Sequence, residues 1–256
     1  MTRYLILKLQ SPLIAFGGEA IDNHGVIRDF PALSMVTGLI ANALGWDRSE
    51  DGRHNQLQQR LRMGSVLAPG SRRLQDFQTA KIDGDDIGWT TWGAPEERRG
   101  GAGTYAGPHL RYRDYHANLC MWVVVTLKPA EASPTLGDIS EALNRPARPL
   151  FIGRKPCVPS GPIFAGWCEA ETLLDALQHI VAEQGAAAKE AERDARKPHD
   201  EICSAGWRAQ WPEGEGQLSS DRRVDVCDER NWSTGLHGGW RPVREGMLYA
   251  KRGTHE

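Results

Sequence analysis

The first apolar run of the chain, Tyr4-Leu5-Ile6-Leu7, continues through Lys8-Leu9-Gln10 and predicts a strand buried on at least one face over residues 4–10. Ser11-Pro12 turns the chain, Gly17-Gly18 closes the segment, and the polar, mixed residues 19–30 predict a loop or an irregular edge. The period then changes. Leu33, Val36, Leu39, Ile40, Ala43 and Leu44 fall at helical spacing, with Asp29 and Pro31 suited to the start of a helix and Gly45 to its end. A second, more polar helix is expected from about Asn55 to Arg62, then a short strand over MGSVLA at 63–68. CMWVVVTL at 120–127 is rich in β-branched residues and predicts a buried strand. DISEALN predicts a short helix stopped by Pro146, and a short strand is expected at the start of RPLFIGRKP. A further helix is expected over Leu173–Val181. The Ala-rich, charged stretch 183–198 suits either a solvated helix or a flexible excursion. The remainder predicts short strands between turns, with Trp207, Trp211, Trp232 and Trp240 spread through it.

Residues 79–110 interrupt this pattern. They have no apolar period, glycine is dense, and Arg98 and Arg99 sit beside Trp89, Trp92 and Tyr105. They read as an insertion, a β-ribbon or arm, with a disordered linker as the alternative. Strand, helix, strand, insertion, strand, helix, strand is an α+β order compatible with a ferredoxin-like β-α-β-β-α-β layout.

Composition narrows the function. A net charge of −2 over 256 residues excludes a general polyanion binder. The charge is uneven: residues 1–160 carry 19 Lys and Arg against 16 Asp and Glu, whereas 161–256 carry 12 against 17. The first part suits a basic face and the second a protein neighbour. The five cysteines show no C-x-x-C spacing, which argues against a zinc site or a disulfide framework. No histidine pairs with another ligand at metal spacing, and P-loop, H-E-x-x-H and G-x-S-x-G motifs are absent, so neither metal nor cofactor is expected. Without a secretory h-region or an apolar run long enough to span a bilayer, the expectation is a soluble cytoplasmic protein with no membrane partner.

The remaining chemistry is arginine beside small or aromatic residues: Arg111-Tyr112-Arg113-Asp114-Tyr115 and Gly153-Arg154-Lys155-Pro156. Arginine holds phosphate bidentately and stacks on bases, and Gly153 permits close backbone approach, so a clamp on an RNA backbone is chemically sensible. A solvated salt-bridge surface explains each cluster taken singly.

Taken in order, these segments are more specific. MTRYLILKLQSPLIAFGG followed by RDFPALSMVTGLIANALGW, then LQDFQTA, YRDYHANLCMWVVVTL and PLFIGRKPCVPSGPIF, resemble the CasD family, the guide-handle subunits of type I-E CRISPR Cascade complexes. The resemblance covers residues 1–168, with a weak echo at CDER (227–230) and REGML. Phe16 stands where the family has Trp, Gln78 where it has His, Asn118 where it has Asp, and Ala32 and Met35 where polar or basic residues are usual.

The resemblance implies a ferredoxin-like, RRM-type domain of the RAMP superfamily over 1–78 and 111–168. It also implies an inserted thumb β-hairpin over 79–110 and a small β-rich C-terminal region over 169–256. It implies RNA contact by Phe16, Gly17, Arg28, Ser34, Arg111, Arg113, Tyr115, Gly153, Arg154 and Lys155, and partner contact by Trp89, Trp92, Arg98 and Arg99 of the thumb. The implied partners are the crRNA 5′ handle, the CasC backbone subunit, the CasA large subunit and, through the complex, target DNA. The implied role in antiviral defence is non-catalytic. The alternative is a metal-free endoribonuclease that processes pre-crRNA, as in the type I-C branch, with Tyr112, Tyr115 and His116 beside Arg113 as its candidate chemistry. A third reading is an unrelated Trp-rich interaction domain.

Overall fold

The computed structural model describes residues 1–18, 22–81, 88–89, 95–96, 107–194 and 206–250. In chain order the elements are β1 (Thr2–Ile14), β2 (His24–Gly25), α1 (Leu33–Ala43), α2 (Asp51–Arg60), β3 (Leu61–Leu67) and β4 (Arg72–Ala80). The short β5 (Gly88–Trp89) and β6 (Pro95–Glu96) follow, then β7 (His109–Leu127), α3 (Leu136–Asn144), β8 (Phe164–Ala170) and α4 (Leu173–Asp194). The C-terminal strands are β9 (Trp207–Pro212), β10 (Arg222–Val226) and β11 (Arg241–Leu248).

One sheet organises the chain, in the order β10-β11-β9-β3-β7-β1-β8, with β2 and β4 also paired to β7. The centre, β3-β7-β1-β8, is antiparallel throughout. Strand periodicity explains its double-sided burial. On β1, Leu5, Leu7 and Leu9 face a core completed by Leu33, Val36 and Ile40 of α1, Leu57 of α2 and Ile139 and Leu143 of α3. Tyr4 and Ile6 face the opposite side, where they meet Trp122 and Val124 of β7 and Leu173, Leu177, Ile180 and Val181 of α4. Covering both faces makes these strands read as nearly continuous apolar runs.

The helix predicted over 173–181 therefore extends through the Ala-rich stretch to Asp194. The C-terminal strands are no separate layer. Ser65, Val66 and Leu67 of β3 pair with Gln210, Ala209 and Arg208 of β9, which carries the same sheet onward to β11 and β10.

Three local expectations are corrected and one strand was not foreseen. The polar helix begins at Asp51 and ends at Arg60, because Leu61 already belongs to β3, where it is buried. Residues 72–80 form a strand, β4, which sequence hid because both its faces are largely exposed and polar. The short strand expected at the start of RPLFIGRKP is a tight turn closed by Ile152 N–H donating to the Cys157 carbonyl at 2.8 Å; the strand comes later, at β8. Asp29 does not cap α1. Its carboxylate binds Arg73 at 2.6 Å and Arg208 at 2.9 Å. The start of α1 is capped from 195 residues away: Leu33 N–H donates to Asp228 Oδ2 at 3.1 Å and Ser34 N–H to the Asp228 carbonyl at 3.0 Å. Asp228 also holds the largely buried Arg241 through Oδ1 at 3.2 Å and Oδ2 at 2.6 Å. By contrast, α3 carries a local capping box from Thr135 and Asp138.

Candidate nucleic-acid interface

A groove of about 600 Å³ runs between α1, the 17–18 turn, the 151–155 loop and the 230–237 loop. Gly17, Ser34, Gly153 and Lys155, four of the residues chosen from sequence, line it together. Arg230, Trp232 and His237 complete the opposite wall, and among the described residues no acid contributes to the lining.

Each wall is fixed by specific packing. Gly153 has φ +88°, and a Cβ there would stand 1.8 Å from the Ala15 carbonyl oxygen. The close approach that this glycine permits is thus to the chain's own backbone, and it locks the 151–155 loop to the residue before Phe16 and Gly17. On the other wall, Gln58 of α2 ties down the C-terminal loop. Its Nε2 donates to the Arg230 carbonyl at 3.0 Å, and its Oε1 accepts from Arg230 N–H and from the Trp232 indole N–H, each at 3.2 Å. Gly38 of α1 lets the Trp232 ring come close, with a ring carbon 3.2 Å from where a Cβ would be.

The other candidates are placed differently. Phe16 is 1% exposed, packed in the core and tilted against His116 at 5.7 Å, so its ring is no stacking platform for a base. Arg28 donates to the Cys227 carbonyl at 2.8 Å, outside the groove. Arg154 reaches inward: it donates to the carbonyls of Asp114 at 2.8 Å and Gly25 at 2.9 Å, with its guanidinium 4.9 Å from the centre of the buried Tyr115 ring. Arg113 packs over Gly25 beside it. These residues form an internal clamp joining β2, β7 and the 153–155 turn. Arg111 is exposed on β7, with Nη1 donating to the Leu110 carbonyl at 2.8 Å. Trp92, Arg98 and Arg99 lie outside the described residues, and Trp89 enters only through the backbone pairing of β5 with β6.

A second arginine cluster, Arg28, Arg73, Arg208 and Arg222, surrounds Asp29 and Glu245. Here the cations are largely spent: Arg73 and Arg208 share Asp29, and Arg222 holds Glu245. Burial pushes the Asp29 carboxyl up, but hydrogen bonds from the two arginines outweigh it and hold the group below its ordinary value.

The candidate nuclease set is not assembled at a surface. Tyr115 and His116 are adjacent on β7 and so point to opposite faces, and both are buried. Burial holds the His116 imidazole below its ordinary value, and its Nε2 lies 2.8 Å from the Arg28 carbonyl. Among the described residues no group of histidine, cysteine and carboxylate is arranged to hold a metal, and no helix is long and apolar enough to cross a membrane.

Sequence reasoning missed Arg230, Trp232 and His237, whose loop lies in the acidic part of the chain. It named Tyr112 of β7 but missed that this half-buried ring lies in a row with the exposed Phe77 of β4 and His24 of β2. Tyr112 lies 5.3 Å from Phe77 and is stacked on His24 at 4.8 Å. The signal for that row is a cross-strand register, which no single segment contains.

The chain as a whole is similar to known proteins in sequence and fold. The chain is 25% identical over 180 residues to the CRISPR system Cascade subunit CasD of Escherichia coli (strain K12), covering 69% of this chain and 76% of that protein. A chain of a CRISPR RNA-guided surveillance complex superposes with a TM-score of 0.65 at 18% identity, covering 98% of this chain and 95% of the other. A crystal structure of a Cas protein superposes with a TM-score of 0.55 at 22% identity, covering 96% of this chain and 95% of the other. The model of the family described as CRISPR-associated protein (Cas_Cas5) matches residues 4–244, and the chain belongs to this Cas5 family.

Proposed function

We propose that this protein is a non-catalytic, architectural subunit of a type I-E Cascade surveillance complex that holds the 5′ handle of the crRNA in the groove beside α1. The observation that carries the reading is the groove lining: Lys155, Arg230 and His237 with no acid among the described residues, in a chain whose net charge is −2. Local positive charge on an otherwise acidic chain favours a phosphate backbone held at one place over general polyanion binding. Membership of the Cas5 family and likeness to a Cascade subunit supply the class of partner.

The strand order β3-β7-β1-β8, with α1 and α3 in its two connections, supports a ferredoxin-like RAMP domain over 1–78 and 111–168. An RRM presents the open face of its sheet to RNA. Here α4 covers that face, so the handle is assigned to the groove at the side of the helices. In this reading the 79–110 thumb reaches the CasC backbone subunit, the C-terminal region meets CasA, target DNA is met through the complex, and the protein acts in the cytoplasm.

Footprinting of crRNA in the assembled complex tests the proposal. Lys155→Glu combined with Met35→Glu puts two acids into the groove and is expected to expose the handle while leaving the spacer protected. A handle equally protected in wild type and variant refutes the groove. Incubating the protein with labelled repeat RNA without metal tests the catalytic alternative. Specific cleavage that disappears in Tyr115→Phe would establish the nuclease reading in place of this one.

A further inference from the structure

The partly buried Arg241 and Arg244 each hold a carboxylate, Asp228 and Asp221, whereas Arg230 does not. Its Nε is buried and has no hydrogen-bond partner. Among the described residues no carboxylate pairs with its guanidinium, which lies 5.4 Å from the Trp232 ring centre. A buried donor left without an acceptor is costly, and a like charge beside it costs more. That like charge is present. A Cβ on Gly235 would lie 3.1 Å from Arg230 Nη2 and 4.0 Å from Arg48 Nη2, which bounds the separation of the two nitrogens at about 7 Å. Gly235 has φ +76° and no side chain, so the gap between the two guanidiniums stays open. Burial, and then Arg48, hold Arg230 below its ordinary pKa, so the site is short of negative charge.

The surroundings hold this arrangement in place. Gln58 fixes the Arg230 backbone on both sides, and Asn55 Oδ1 accepts from Trp232 N–H at 3.2 Å. The Ser233 hydroxyl donates to Asp51, which anchors the rest of the loop to the start of α2. Arg230 is therefore positioned by contacts to its backbone and loop, and among the described residues these leave its guanidinium without an acceptor.

We propose that Arg48 and Arg230 form a phosphate subsite at the end of the groove, where one backbone phosphate of the bound RNA accepts hydrogen bonds from both guanidiniums. Charge-assisted contacts of about 2.8 Å on either side of one phosphate span the bounded gap. This inference rests on the groove being an RNA site. It adds that a loop from the acidic C-terminal region completes that site, with a partner from the α1–α2 connection.

The test uses the purified full chain and a handle-length RNA, in wild type and in Arg230→Met and Arg48→Met variants. Each substitution is expected to weaken binding about 10- to 100-fold, the loss of one charged hydrogen-bonding group, and to lower the salt slope by about one. A set of RNAs each carrying one neutral methylphosphonate linkage identifies the phosphate: one position weakens wild type and has no further effect in Arg230→Met. The thermal stability of the RNA-free Arg230→Met protein should be unchanged or raised, because the guanidinium has no internal acceptor to lose. Wild-type RNA binding with unchanged affinity and salt slope in both variants overturns the subsite and leaves the groove standing. Absence of RNA binding by the wild type overturns both. A Met variant that unfolds gives Arg230 a structural role and overturns the subsite, unless one methylphosphonate position still weakens wild type and is silent in Arg230→Gln.

Discussion

Replacing Gly153 with alanine separates a structural role for this glycine from a role in contacting RNA. The added Cβ would stand 1.8 Å from the Ala15 carbonyl oxygen, whereas real Cβ atoms essentially never come nearer than 3.0 Å, so the two backbones must part by about 1.2 Å. Two penalties follow. A φ of +88° costs a residue with a Cβ about 1–2 kcal/mol, and forcing extra volume into a packed contact costs about 1–3 kcal/mol. Together they predict a loss of about 3 kcal/mol, or about 6–12 °C in Tm for a chain of this size. Urea unfolding with a constant m-value measures it. Gly161→Ala is the control: it meets nothing within 4 Å and has no positive φ, so its change should stay within about 0.5 kcal/mol. A Gly153→Ala protein that unfolds within 0.5 kcal/mol of wild type would refute the contact with Ala15 and the wall built on it. A loss equal to that of the control would trace the effect to glycine replacement in general.

Three further outcomes follow from the same geometry. Asp228→Ala should cost about 3–5 kcal/mol, because it uncaps α1 and strands the buried Arg241, while Asp228→Asn keeps an acceptor for Leu33 N–H and should cost less; chemical denaturation separates them. Arg154→Ala should destabilise by about 2 kcal/mol, and Arg154→Lys should not restore it, because two carbonyls on different strands need the planar fork; equal stability of the Lys variant and wild type would contradict this. Burial lowers the His116 pKa, so the unfolded chain takes up a proton first as pH falls. The stability that depends on this neutral ring is complete above about pH 6.5 and is lost as pH drops through that value toward the lower folded one. Denaturation across pH 5–8 should show the fall in wild type and a flatter profile in His116→Asn.

Much of the fold was legible in the chain. Strands 4–10 and 120–127 announced themselves because the sheet is covered on both faces, leaving long apolar runs, and α1 because its buried positions recur at helical spacing. Glycine and arginine at 153–155 were legible as special positions, but their use was not. Whether Gly153 approaches RNA or Ala15, and whether Arg154 holds phosphate or the carbonyls of Asp114 and Gly25, depends on what lies opposite. Arg230 and Arg48 are unremarkable in their own segments, since each is one cation in a polar stretch. Local sequence determines period, turns and the apolar faces, because those depend on neighbours along the chain. Only the tertiary structure decided which charges are spent on internal partners and which are left open, because pairing joins residues as distant as Asp228 and Leu33.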